Sequence, residues 1–194
     1  MAERPARYVA GRVLVSGGRP ALQLEVSEEF RYLGRLDIDI SGADTEAFIF
    51  IDEERSFARR TLMVQFEARI AHTGDPYQYA LDATLDLGGE SYAHEVLCSN
   101  HSEFLEQRGP DSDTAQVAAF FDRVGITSPE ERVHQRMVRL LDDGYAELLL
   151  VYSEDATLSG AKRDKIGEER QSIERWGKLA PGFLERSAAA FTIL

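Results

Sequence analysis

Three side chains that could ligate a metal or carry a proton lie close together in the chain: His94, Cys98 and His101. On a helix their offsets of four and seven would gather them on one face, where thiolate and imidazole suit zinc. Residues 91–98 instead alternate in polarity, which is the period of a β-strand. At a rise of about 3.3 Å per residue, His94 and Cys98 then stand roughly 13 Å apart, too far to share one ion. No metal is expected, and Cys98 reads as a core thiol. The same strand puts Tyr92, His94, Val96 and Cys98 on one inward face. A buried imidazole there must find a hydrogen-bond partner or shift its titration. The plain role for His94 is a satisfied core histidine. The sharper one makes Tyr92 and His94 the candidate ligand-binding residues, two polar groups on the apolar wall of a cavity.

Other chemistry-bearing patterns are weaker. Ser159-Gly160-Ala161-Lys162 fits the Ser-x-x-Lys spacing of serine acyl transferases, in which lysine takes the proton of the nucleophile. Here it sits among glycine and charge, without the companion Ser-Asp-Asn and Lys-Thr-Gly elements. The pairs Asp37/Asp39 and Asp82/Asp86 and the run Asp52-Glu53-Glu54 read as solvated strand faces, with no calcium-loop spacing around them. No phosphate-binding loop, dinucleotide fingerprint or nucleophile elbow occurs, so no cofactor is expected. Trp176 reads as a packing anchor on an apolar helical face.

These residues must be positioned by an alternating, strand-rich frame. In residues 61–70, Leu62, Val64, Phe66, Ala68 and Ile70 oppose Met63, Gln65, Glu67 and Arg69. Residues 47–51 are apolar on both faces, as for a strand covered on both sides. Residues 79–87 repeat the alternation after turn chemistry at Thr73-Gly74-Asp75-Pro76, so a hairpin pairing Ile70 with Leu81 is expected. A turn at Gly89-Glu90 would then pair Leu87 with Tyr92 and Leu85 with His94. Asp113 and Gln116 look like the start of a helix whose stripe is Val117, Phe120, Phe121 and Val124, stopped by Gly125. Residues 132–141 fit either a helix or a strand; Asp142-Asp143-Gly144 and the apolar run after it favour two antiparallel strands.

The expectation is a single α+β domain over 1–194, with a strand-rich part 8–98, a helical insertion 102–125, a strand hairpin 132–152 and C-terminal helices 168–190. About eight antiparallel strands would form a curved sheet or partly closed β-barrel with two or three helices packed on it. In outline residues 8–98 are similar to lipocalin-like barrels and helix-filled curved sheets, a likeness of architecture that carries no functional residues across.

The chain has 194 residues, with 34 acidic against 22 basic side chains and a formal charge of −12. That balance repels nucleic-acid phosphates, and the one basic run, Lys162-Arg163-Asp164-Lys165, is interrupted by an acid. No apolar stretch spans a bilayer and no signal peptide is recognisable, so a cytoplasmic protein without a membrane partner is expected. Three functional readings follow. The chain binds a small apolar molecule in a cavity between sheet and helices; or it is a cofactor-free enzyme using that cavity, with His94 as base and Tyr92 as polariser; or it is an interaction domain that forms a homodimer.

Overall fold

The computed structural model describes residues 6–70, 74–79, 83–161 and 173–194. Among them eleven strands form two antiparallel sheets. The small sheet contains β1 (Arg7–Ala10), β2 (Val13–Gly17), β3 (Ala21–Val26) and β11 (Phe191–Ile193), in the order β1-β2-β3-β11. The large sheet contains β4 (Arg31–Ile40), β5 (Ala43–Glu54), β6 (Phe57–Arg69), β7 (Ala83–Leu87), β8 (Glu90–Asn100), β9 (Glu131–Leu141) and β10 (Ala146–Asp155). Its order is β4-β5-β6-β10-β9-β8-β7, so it is open and does not close into a barrel.

The main core lies on one face of the large sheet. The period of two sends Phe48, Phe50, Leu62, Val64, Leu148 and Leu150 to that face, where they meet Leu14 and Leu24 of the small sheet. Two C-terminal helices, α4 (Ile173–Leu179) and α5 (Phe183–Ala189), add Trp176 and Phe183 to the same core. The Phe183 ring lies 5.5 Å from that of Tyr152. The opposite face carries a second cluster built on Ile49, Ile51, Phe120 and Phe121. Strand β5 is thus covered on both faces, as its unbroken apolar run implies.

The cover on that second face comes from α1 (His101–Arg108) and α2 (Asp113–Arg123). Asn100 caps α1 by accepting from the Glu103 amide at 3.1 Å. The α2 cap is Ser112, which accepts from the Ala115 amide at 3.2 Å, not the expected Asp113. Gln116 reaches instead to the sheet, where its amide group exchanges two 2.9 Å bonds with the backbone of Asp39 and closes part of the β4 edge. Gly34 lets α2 come close, since a Cβ there would sit 2.9 Å from Cζ of Phe120. The short helix α3 (Ala156–Ser159) ends β10.

Two pairings differ from expectation. Strand β6 pairs with β5 and β10, not with the strand of residues 79–87, and Leu81 lies outside the described residues. The apolar residues 148–152 occupy the centre of the sheet beside β6, where both faces are covered, and the more polar β7 takes the edge. The β7–β8 turn is centred on Gly88-Gly89, so Leu87 faces Glu90, Leu85 faces Tyr92 and Ala83 faces His94. Both glycines have positive φ, +62° and +81°, which a tight two-residue turn demands and Glu90 would resist. The shift is two residues, so every side chain keeps its face. Residues 131–141 form a strand, resolving that ambiguity. No helix among the described residues is long and apolar enough to cross a membrane.

Candidate functional site

The roof of α1 and α2 leaves a groove over β6, β10, β9 and β8. Registers fix what lines its floor, because directly opposed residues of an antiparallel pair share a face. His134 lies between Leu97 and Ser153, Arg136 between Glu95 and Val151, and Arg132 opposite Ser99. Met63 faces Val151, Gln65 faces Leu149, and Glu67 faces Glu147.

The inner part is a chamber of about 270 Å³. Its walls mix an apolar part, Ile49, Met63, Leu97 and Val151 on the sheet with Phe104, Val117 and Phe121 on the helices, with polar and charged side chains that include Glu95, Arg132 and Arg136. One polar relay crosses its floor. His134 Nε2 lies 2.7 Å from Ser99 Oγ, and His134 Nδ1 lies 2.7 Å from Ser153 Oγ. Burial pushes the His134 ring down to about 3, with Arg132 and His101 adding repulsion. A neutral ring donates through one nitrogen and accepts through the other. One serine therefore accepts from the ring, and its own hydroxyl hydrogen is left to donate elsewhere.

Arg132 lines the same chamber. Its Nε donates to Pro129 O at 3.0 Å, while Nη2 is buried without a hydrogen-bond partner among the described residues. Burial lowers its titration to about 10, only partly opposed by Glu130. His101, at the start of α1, is also shifted down, by burial first and then by Arg132.

The outer part is an open, polar vestibule of about 910 Å³ that shares Arg108, Asp113, Arg136 and Leu149 with the chamber. Two carboxylates stand side by side there. Glu67 accepts from Tyr77 at 2.6 Å and from Gln65 Nε2 at 3.1 Å, and Glu147 accepts from Tyr79 at 2.7 Å. Burial pushes Glu147 up to about 7, against the Tyr79 hydrogen bond, which favours the ionised form. Arg136 pairs with Glu95 at 2.6 Å and stacks over the Tyr79 ring.

Tyr92 and His94 are brought together, but on the other face of the sheet. Tyr92 is buried in the main core, and His94 is buried beside Gln135, whose Nε2 is 3.1 Å from its Nδ1. Neither lines the groove. Cys98 shares their face, whereas His101 lies on α1 and does line the chamber. Ser159 is buried at the end of α3, and Lys162 lies outside the described residues. The residues that sequence reasoning missed are Ser99, Arg132, His134 and Ser153. Their signal was present in the polar alternation of 132, 134 and 136, which reads equally well as a solvated face until a helical roof is placed above it.

No protein-family model, curated protein or solved structure matches the chain.

Proposed function

We propose that the chain binds a small, mostly apolar molecule in the inner chamber between the large sheet and helices α1 and α2. The observation that carries this reading is a chamber of about 270 Å³ in which apolar side chains of the sheet and of both helices face a floor carrying the Ser99–His134–Ser153 relay and Arg132. Pockets that hold small molecules combine apolar area with a few placed polar groups in this way. The volume corresponds to roughly nine water-sized groups, which suits a ligand of similar heavy-atom count.

The Ser99–His134–Ser153 contacts also have the spacing of a nucleophile and its base. A ring that takes up a proton only near pH 3 is, however, a weak base at neutral pH, and a serine rather than a carboxylate holds each nitrogen. The chemistry therefore favours holding a ligand over transforming it.

Octan-1-ol is a probe of suitable size. Thermal melting should rise with its concentration, by the equivalent of about 2.7 kcal/mol at a hundredfold excess over Kd. Val151→Phe, which fills the chamber from the sheet, should fold and lose the response. An unmoved melting temperature in the natural chain, or a full response in Val151→Phe, would count against the proposal.

A further inference from the structure

A ligand in the chamber brings an end group to the floor, and the floor is not neutral toward it. Arg132 brings a positive charge to the chamber at neutral pH, and no ion pair holds it among the described residues. Glu130 offsets only part of that charge, and the carboxylates beside it have partners of their own. Glu95 pairs with Arg136, Glu130 is held by Ser102 and Asn100, Asp155 accepts from Thr157, and Asp113 accepts from Thr114. A buried guanidinium nitrogen without a partner is costly, and the group that best relieves it is a planar oxyanion.

We infer that the ligand is a monocarboxylate with a short apolar tail, its head on Arg132 and the neighbouring Ser99–His134–Ser153 relay, its tail against Phe104, Val117 and Phe121. This rests on the chamber being a ligand site and adds the ligand's charge to it. Of the three guanidiniums that line the chamber, Arg136 is neutralised by Glu95 and the exposed Arg108 lies over the Phe104 ring, so Arg132 beside a neutral imidazole is left to balance a single negative charge. The relay's spare serine hydroxyl supplies a second, neutral donor to the same head group. The chamber volume limits the tail to about seven carbons beyond the head.

Calorimetry on the full chain with octanoate, octan-1-ol and octylammonium tests it, since the three share one tail and differ in charge. Octanoate should bind about ten- to hundredfold more tightly than octan-1-ol, the range of a charged hydrogen bond, and octylammonium most weakly. In Arg132→Gln the ratio of octanoate to octan-1-ol affinity should fall to about one, and Arg132→Lys should restore part of it. If Arg132→Gln does not fold, the three ligands on the natural chain decide alone. Equal binding of acid and alcohol, or preference for the amine, overturns the anion while leaving the chamber as a site. Silence from all three overturns both.

Discussion

Glu147 shows how far a single environment can move a side chain. It is 4% exposed and faces Glu67 directly across the β6–β10 pair, and its titration lies at about 7 against an ordinary 4.5. The folded chain therefore keeps this proton over a window in which the unfolded chain has released it. Stability from this group is full below about pH 4.5, falls as pH rises to about 7, and is level above. Glu147→Gln keeps an acceptor for Tyr79 and removes the buried charge. It should be more stable than the natural chain at alkaline pH, by about 1–3 kcal/mol, and no different in acid, as urea titrations at the two pH values would show. His134 runs the opposite way, because its value is depressed from 6.5 to about 3. Its contribution is present above pH 6.5 and is lost as pH falls toward 3. Its ring resonances should not titrate between about pH 5 and about pH 8, and an NMR midpoint near the unperturbed imidazole value would contradict the burial described. At this scale sequence periodicity placed Tyr92 and His94 correctly on an inward face. It did not tell which inward face holds the chamber, because the face they share is filled by the small sheet, Trp176 and Phe183.

At the scale of elements, the turn at Gly88-Gly89 joins two parts of the fold. A Cβ on Gly88 would lie 2.7 Å from Cγ2 of Ile193, whereas one on Gly89 would meet open space. Both substitutions to alanine pay for a positive φ, about 1 kcal/mol. Gly88→Ala must also displace a β-branched side chain of β11, so it should cost about 2 kcal/mol or more and Gly89→Ala about half of that, measured by denaturant unfolding. Helix α2 depends on its Ser112 cap. Ser112→Ala should lose about 1 kcal/mol and speed amide exchange in residues 113–116, at the mouth of the groove. Most of these elements were legible. The alternation of residues 61–70 and the apolar run of residues 47–51 both follow from side-chain period alone. The β6–β10 partnership was not legible, since local period says which face a residue takes and nothing about which distant strand lies beside it. The closing strand β11 is three residues long, too short for any period to stand out.

At the scale of the molecule, the large sheet is the middle layer, with the small sheet and C-terminal helices on one face and α1–α2 on the other. Trp176 is nearly inaccessible in the first of these interfaces, and its indole nitrogen has no hydrogen-bond partner among the described residues. Trp176→Ala should therefore cost about 3–5 kcal/mol, and Trp176→Phe distinctly less, because no polar contact is lost with the ring nitrogen. Equal losses in the two variants would show that the indole nitrogen is engaged after all. On that second face the polar Gln65 and Glu67 are buried too: they bond to one another, and Tyr77 donates to Glu67 from the segment that lies against it.

Everything turns on which face of the sheet receives a ligand. Isotope-filtered NOE spectroscopy on the octan-1-ol complex decides it. The ligand chain should show contacts to methyl groups of Met63, Leu97, Val117 and Val151, which line the chamber. Contacts to Met137, Leu148 and Leu150 on the opposite face, or no contacts from a ligand that demonstrably binds, would contradict it.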